Sequence, residues 1–218
     1  MPKPKYKAVI FDFDDTLVES RAQKWAQHKH VAKKFYNIDL TDETLLKHWG
    51  KSLDVLISEV YEHSDTLENM YRAVTSTRYD FPKKAYTESV SVIKNLLNRN
   101  IKVGVLSSVT KKYLLEDLVS FGFPVDEFFV VQSATETSVH KPNPEVFTPL
   151  LEKLNEAGIK KEEIIYVGDS LLDLQAAHGA EIDFIAVTTG LYSYKDFKEK
   201  GVKTIIKDIE EVTKFLID

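Results

Sequence analysis

Asp12 and Asp14 stand two residues apart at the end of an apolar run, Ala8-Val9-Ile10-Phe11, with Asp15 and Thr16 directly after. The run reads as a buried strand, and if its geometry continues both carboxylates leave on the same side. Two like charges about 4 Å apart at an effective dielectric of about 20 repel by roughly 4 kcal/mol. A divalent cation is the simplest group to offset that repulsion. The other reading is an Asp/Thr turn that caps the next helix. The stretch alone does not choose between them.

Three later clusters carry compatible chemistry. Ser107 and Ser108 follow an apolar run, Gly168-Asp169-Ser170 follows another with Asp173 four residues beyond Asp169, and His140-Lys141-Pro142-Asn143-Pro144-Glu145 lies between them. Hard oxygen donors without cysteine suit Mg2+, which takes octahedral oxygen coordination and keeps several waters. Asp12 could attack phosphorus to form an aspartyl-phosphate, with the metal between Asp12, Asp169 and a phosphate oxygen. Asp14 could protonate the leaving oxygen and later deprotonate water. Ser107 and the Ser108 backbone N–H could hold phosphate oxygens, and Lys141 adds positive charge. Each cluster also has a plainer reading. The serines fit an N-cap, Lys141 a solvated surface, Gly168-Asp169 a capped turn, and Asp173 an exposed helical position. What favours chemistry is that suitable residues follow successive strands in a workable order.

The elements that must position these residues alternate. Apolar runs occur at residues 8–11, 101–106, 128–131, 164–167 and 184–187, with 204–206 as a candidate edge strand. Continuous rather than alternating apolar strands predict a parallel sheet buried on both faces. Helical patterns at 110–121, 144–157 and 171–178 each stop at a glycine, Gly122, Gly158 and Gly179. The expected fold is α/β, a doubly wound, mainly parallel sheet. Ligands in such sheets bind beyond the carboxyl ends of the strands, which is where all four clusters fall.

The stretch after the first strand breaks the rhythm. Residues 18–82 contain no strand pattern but four helical ones: 21–36, one after Thr41, 53–61, and one after Asp65, whose spacing to Glu68 resembles a capping box. The expected organisation is a core of residues 1–17 and 83–218, with a small all-α cap domain, 18–82, inserted after the first strand. Lys24, His28, Lys29, His30, Lys33 and Lys34 read mostly as a solvated basic face, and Trp25 and Trp49 as cap core. Gly50-Lys51-Ser52 is the candidate substrate-facing loop.

Composition narrows the classes. The chain has 218 residues, 43% hydrophobic and 29% charged, enough for a real core. A net charge of -5 argues against non-specific nucleic-acid binding. With no cysteine there is no disulfide, thiolate zinc site or cysteine nucleophile. The N-terminus, Met1-Pro2-Lys3-Pro4-Lys5-Tyr6-Lys7, is basic, but the apolar run behind it is too short for a signal peptide or membrane span. A cytoplasmic protein without membrane partners is expected.

These residues resemble the haloacid dehalogenase superfamily, in its phosphatase branch. Asp12-Phe13-Asp14-Asp15-Thr16 is similar to the first motif, Val105-Leu106-Ser107 to the second, and Lys141-Pro142-Asn143-Pro144-Glu145-Val146-Phe147 to the third. Gly168-Asp169-Ser170-Leu171-Leu172-Asp173 is similar to the fourth. The helical insertion resembles the cap of the phosphoglycolate phosphatase and β-phosphoglucomutase group. The resemblance implies a Rossmann-type core and an Mg2+-dependent phosphatase acting on a small phosphorylated metabolite. It makes Asp12 the nucleophile and a metal ligand, and Asp14 the acid/base whose carbonyl also meets the metal. Ser107 binds phosphate, Lys141 orients the phosphate, and Asp169 binds the metal. Asp173 supports or joins the metal shell, and Thr16 lies close behind it. The sequence departs from the pattern at Asp15, where glycine is common, at Ser108, where asparagine is frequent, and at Lys84-Ala85, where Pro-Gly is common. A phosphomutase, a 2-haloacid dehalogenase and a non-catalytic phosphate-binding protein are the competing functions. Substrate, pathway and oligomeric state are not encoded legibly.

Overall fold

The computed structural model describes residues 5–217; residues 1–4 of the basic N-terminal stretch lie outside them. The strands are β1 (Ala8–Phe11), β2 (Val18–Glu19), β3 (Lys84–Ala85), β4 (Lys102–Leu106), β5 (Val130–Gln132), β6 (Ile164–Gly168), β7 (Asp183–Val187) and β8 (Thr204–Ile206). The helices are α1 (Arg21–Tyr36), α2 (Asp42–His48), α3 (Leu53–Val60), α4 (Leu67–Ser76), α5 (Ser89–Asn98), α6 (Lys111–Ser120), α7 (Thr148–Glu156), α8 (Leu171–Gly179), α9 (Tyr194–Glu199) and α10 (Glu210–Ile217). The chain divides into two compact units, one running up to Val18 and again from Ala85, the other Glu19–Lys84. β2 and β3 form a separate two-stranded sheet. No helix among the described residues is long and apolar enough to cross a membrane.

The larger unit is an α/β fold around a six-stranded sheet in the order β5-β4-β1-β6-β7-β8, every neighbouring pair parallel. Apolar residues on both sides of each strand explain why it needs cover on both faces. Val9, Phe11, Val103, Val105, Ile165 and Val167 enter one core cluster, while Ala8, Ile10, Leu106 and Tyr166 enter the other. Each fully buried Ile, Val or Phe contributes about 1.5–3 kcal/mol relative to exposure. Strand order reverses beside β1, and the register sets Phe11 opposite both Val105 and Val167. The residues that follow these strands therefore emerge together at one sheet edge.

Several boundaries differ from the sequence pattern for identifiable reasons. Residues 144–157 are not one helix: a 3-10 turn, Pro144–Phe147, precedes α7. Pro149 has no N–H to donate back into that turn, so the α-helix starts afresh at Thr148. Phe128 closes another 3-10 turn, so β5 begins at Val130 and runs to the polar Gln132, whose Nε2 donates to Val146 O at 2.6 Å. The N-cap of α4 is Thr66, not Asp65. Thr66 Oγ1 accepts from Asn69 N, and Asp65 Oδ1 accepts from the Asn69 side chain.

The smaller unit packs α1–α4 around Val31, Ala32, Leu45, Ile57, Tyr61 and Met70, with Trp25 and Trp49 half-buried against them. Of the basic residues on α1, Lys29 and Lys33 pair at the surface with Asp42 and Asp39. His28 departs from the solvated face. It is buried, and its Nδ1 lies 2.7 Å from the Tyr61 hydroxyl. Gly50, Lys51 and Ser52 are exposed, with Lys51 Nζ 3.2 Å from His48 Nδ1.

Burial, helped by nearby Lys24, pushes His28 down to about 4 from its usual 6.5. A folded-state value below the unfolded one contributes stability that is full above 6.5 and is lost as pH falls toward 4. The protein should lose roughly 2 kcal/mol of unfolding free energy between pH 7.5 and 5.0 through this histidine. Urea denaturation at the two pH values measures it, and His28→Gln should reduce the difference by that amount.

Candidate active site

Asp12 leaves β1 with its N–H still paired to Val167 O at 2.8 Å, which fixes it at the sheet edge beside β6. The next turn is tight. Asp15 has φ +57°, a left-handed conformation that glycine adopts freely and aspartate tolerates at modest cost. The resemblance noted above puts glycine at this position, which suits that conformation. Thr189 Oγ1 donates to Asp15 O at 2.5 Å and holds the turn from the β7 side. Asp14 is half-buried within this turn, and Thr16 is fully buried.

Lys141 reaches the same point from the loop before the Pro144–Phe147 turn. Its Nζ donates to Asp12 Oδ1 at 2.7 Å, Asp173 Oδ1 at 2.6 Å and the Tyr166 hydroxyl at 3.2 Å. Its side chain is 7% exposed, so the solvated-surface reading of this lysine does not hold. Asp173 sits in the first turn of α8 and forms a reciprocal capping box with Ser170. Asp169 faces Thr16, whose hydroxyl donates to its Oδ1 at 3.3 Å. A Cβ at Gly190 would lie 1.8 Å from Asp169 Oδ2, so only glycine lets the backbone pass that carboxylate.

Asp12, Asp169 and Asp173 offer oxygen atoms within 4.8 Å of one another, all buried. Three carboxylates thus face one ammonium. Burial, then the surrounding charges, drives the electrostatics. Desolvation pushes Asp12 up to about 7 despite Lys141, with Asp173 and Asp14 adding to the rise. Desolvation and the charges of Asp173 and Asp12 hold Asp169 well above the carboxylate range. Desolvation acts to lower Lys141, but Asp12 and Asp173 outweigh it and hold its value up. The pocket is short of positive charge, and hard oxygens in this arrangement suit a small divalent cation.

Ser107 is buried at the end of β4, where its Oγ accepts from Val109 N at 3.1 Å, leaving the hydroxyl hydrogen as a donor. Ser108 is exposed. The strand register places both serines at the edge that carries Asp12, while direct side-chain contacts join Asp12, Lys141 and Asp173, and separately Thr16 and Asp169. Sequence reasoning passed over Tyr166, Thr189 and Gly190. Tyr166 alone left a trace, as the one hydroxyl-bearing residue in an otherwise aliphatic strand.

The profile of the haloacid dehalogenase-like hydrolases matches residues 9–187. The chain belongs to this family. It is 26% identical to pyrophosphatase PpaX of Oceanobacillus iheyensis over 94% of each chain. It is 28% identical to the phosphoglycolate phosphatase of Yersinia pseudotuberculosis over 87% of this chain and 85% of that one. Its fold matches the crystal structure of a haloacid dehalogenase-like hydrolase from Bacteroides fragilis with a TM-score of 0.82 and 24% identity, over 95% of this chain and 100% of that one.

Removing the buried ammonium leaves Asp12 and Asp173 facing each other without a cation. Lys141→Met, close in length and shape, should lower unfolding free energy in magnesium-free buffer by about 3 kcal/mol. Guanidinium denaturation monitored by circular dichroism at pH 7.5 checks this.

Proposed function

We propose that the protein is an Mg2+-dependent phosphatase that hydrolyses a small phosphomonoester through an aspartyl-phosphate on Asp12. The observation that carries the reading is the buried cluster of Asp12, Lys141, Asp169 and Asp173, with Lys141 Nζ 2.7 Å from Asp12 Oδ1. Relatives named as phosphatases support it. The donor set fits the metal, because the cluster is oxygen-only, buried and deficient in positive charge. Asp12 and Asp169 would hold it, with the Asp14 carbonyl as the ligand the family resemblance implies. When bound, the ion neutralises the anions that meet there and polarises a phosphate oxygen.

The chain's own residues then divide the work. The Asp12 carboxylate attacks phosphorus, and the bond to the leaving oxygen breaks. Lys141 orients Asp12, favours its ionised form against the effect of burial, and offsets charge on the phosphoryl oxygens. The Asp14 carboxyl gives its proton to the leaving oxygen, and as carboxylate takes one from the water that releases phosphate from Asp12. The Ser107 hydroxyl and the Ser108 N–H donate to phosphoryl oxygens. Residues 18–82 act as a cap that sets substrate choice, with Gly50-Lys51-Ser52 as its substrate-facing loop. The substrate is a metabolite of the cytoplasm, where this reading places the enzyme.

Phosphate release from a panel containing p-nitrophenyl phosphate, phosphoglycolate, sugar phosphates and pyrophosphate, with and without magnesium, tests the proposal. Activity should require magnesium and vanish on chelation. Asp12→Asn should cut turnover by at least about a thousandfold while circular dichroism stays unchanged. Asp14→Asn should accumulate acid-stable phosphoprotein. Substantial turnover by Asp12→Asn would exclude the covalent route. A purified enzyme that releases no phosphate but isomerises a sugar phosphate would be a mutase instead.

A further inference from the structure

We infer that Tyr166 is a positioning residue for Lys141, and that Asp173 works with it as the anchor of that lysine rather than as a ligand of the metal. The inference rests on the phosphatase reading for its kinetic part and on geometry for the rest. Tyr166 lies in the middle of β6, fully buried. Its register partner on β1 is Ile10, so both face the same side of the sheet, and Asp12 follows Ile10 by two residues. The ring is fixed from the side by Phe147, edge-on at 4.9 Å between centroids. That leaves the hydroxyl at one place, where it donates to Asp173 Oδ1 at 2.9 Å and accepts from Lys141 Nζ at 3.2 Å. The three hydrogens of the ammonium thus have three acceptors: Asp12, Asp173 and Tyr166. A lysine with all its donors engaged has one position rather than a set of rotamers.

The acceptor capacity of Asp173 separates it from the other two acids. Its Oδ1 takes Lys141 and Tyr166, and its Oδ2 takes the Ser170 N–H at 3.1 Å and the Ser170 hydroxyl at 2.5 Å. A carboxylate has about four lone-pair sites, and all are occupied by protein. The contact is built in. A Cβ at Gly168, which shares its strand face with Tyr166, would lie 2.7 Å from Asp173 Cβ and Cγ, so glycine there is what admits the carboxylate. Asp169 takes one donor, Thr16, on Oδ1, and Asp12 takes Lys141 on Oδ1. Neither Oδ2 has a protein donor among the described residues, so these two acids retain oxygens to give a cation. Three acids lie near one another, but only two have capacity left.

The test combines equilibrium and kinetic readouts on the full chain. Isothermal titration of MgCl2 into the substrate-free protein should give a dissociation constant within about threefold of wild type for Tyr166→Phe and Asp173→Asn, and no measurable binding for Asp169→Asn. With p-nitrophenyl phosphate, Tyr166→Phe should lose about tenfold in kcat with little change in KM, because it loosens a charge used in the transition state. Asp173→Asn should lose about a hundredfold. In 15N-labelled protein, the slowly exchanging ammonium signal absent from Lys141→Met should also disappear in Tyr166→Phe, which a purely structural hydroxyl would not cause. Magnesium affinity falling as far in Asp173→Asn as in Asp169→Asn would make Asp173 a ligand and overturn the assignment. Unchanged kcat and an unchanged ammonium signal in Tyr166→Phe would leave its hydroxyl a mere core contact. If wild type hydrolyses no ester, the phosphatase reading fails, and the titration and the ammonium signal still decide this one.

Discussion

The structure of the site depends on a buried cation. Among the described residues Lys141 is the ammonium set directly against Asp12 and Asp173, and it ties together three pieces of chain that are far apart in sequence: the end of β1, the loop before α7, and the first turn of α8. Burying charges costs several kcal/mol per ion, and attraction repays it only with good geometry and hydrogen bonds on every remaining donor. Here the ammonium meets that condition, and Asp173 meets it with Lys141, Tyr166 and Ser170. Asp12 and Asp169 do not. Their burial without full compensation is a cost that a purely structural cluster would have no reason to keep, and perturbed groups of this kind concentrate where chemistry is done.

The sheet makes this arrangement possible through register. Because Phe11 lies level with Val105 and Val167, the residues just beyond three adjacent strands emerge at one height. Alternation then sorts them. Asp12 continues the face of Ile10 and Tyr166, and Asp169, just past the end of β6, offers an oxygen within 4.8 Å of one of its own. A shift of one residue between β1 and β6 would move Asp12 away from the tyrosine and the lysine together. The extensive apolar packing on both sides of the sheet is therefore also what fixes the polar geometry at its edge.

Much of this was legible in the sequence. The continuous apolar runs announced the parallel sheet, and Asp12, Lys141, Asp169 and Asp173 each followed such a run or lay between two. The elements that depart from the sequence pattern share a cause: a local polar or cyclic residue decides them. Gln132 ends β5 where an apolar pattern would have stopped earlier, because its amide finds the Val146 carbonyl. Pro149 restarts a helix that periodicity alone runs together. His28, grouped by charge with its basic neighbours on α1, is instead packed beside Tyr61. Tyr166 left only a faint trace for a different reason. In one dimension a tyrosine among Ile and Val is a core residue, and its hydroxyl acquires meaning only from partners 25 residues earlier and 7 residues later.

The contrast between Asp169 and Asp173 shows how far spacing can carry an argument and where it stops. Both acids follow β6, both are buried, and the interval between them suits either a metal pair or a helix start. What distinguishes them is the number of donors already in place. Asp173, within the first turn of α8, is drawn into the Ser170 capping box by the need to satisfy free N–H groups there. Asp169 precedes the helix and has Thr16 as its protein donor. The same helix start that makes Asp173 useful as an anchor occupies the oxygens it would need as a ligand. A carboxylate that caps a helix and holds a lysine has its lone pairs engaged, which is the physical ground for the proposed division of roles among these acids.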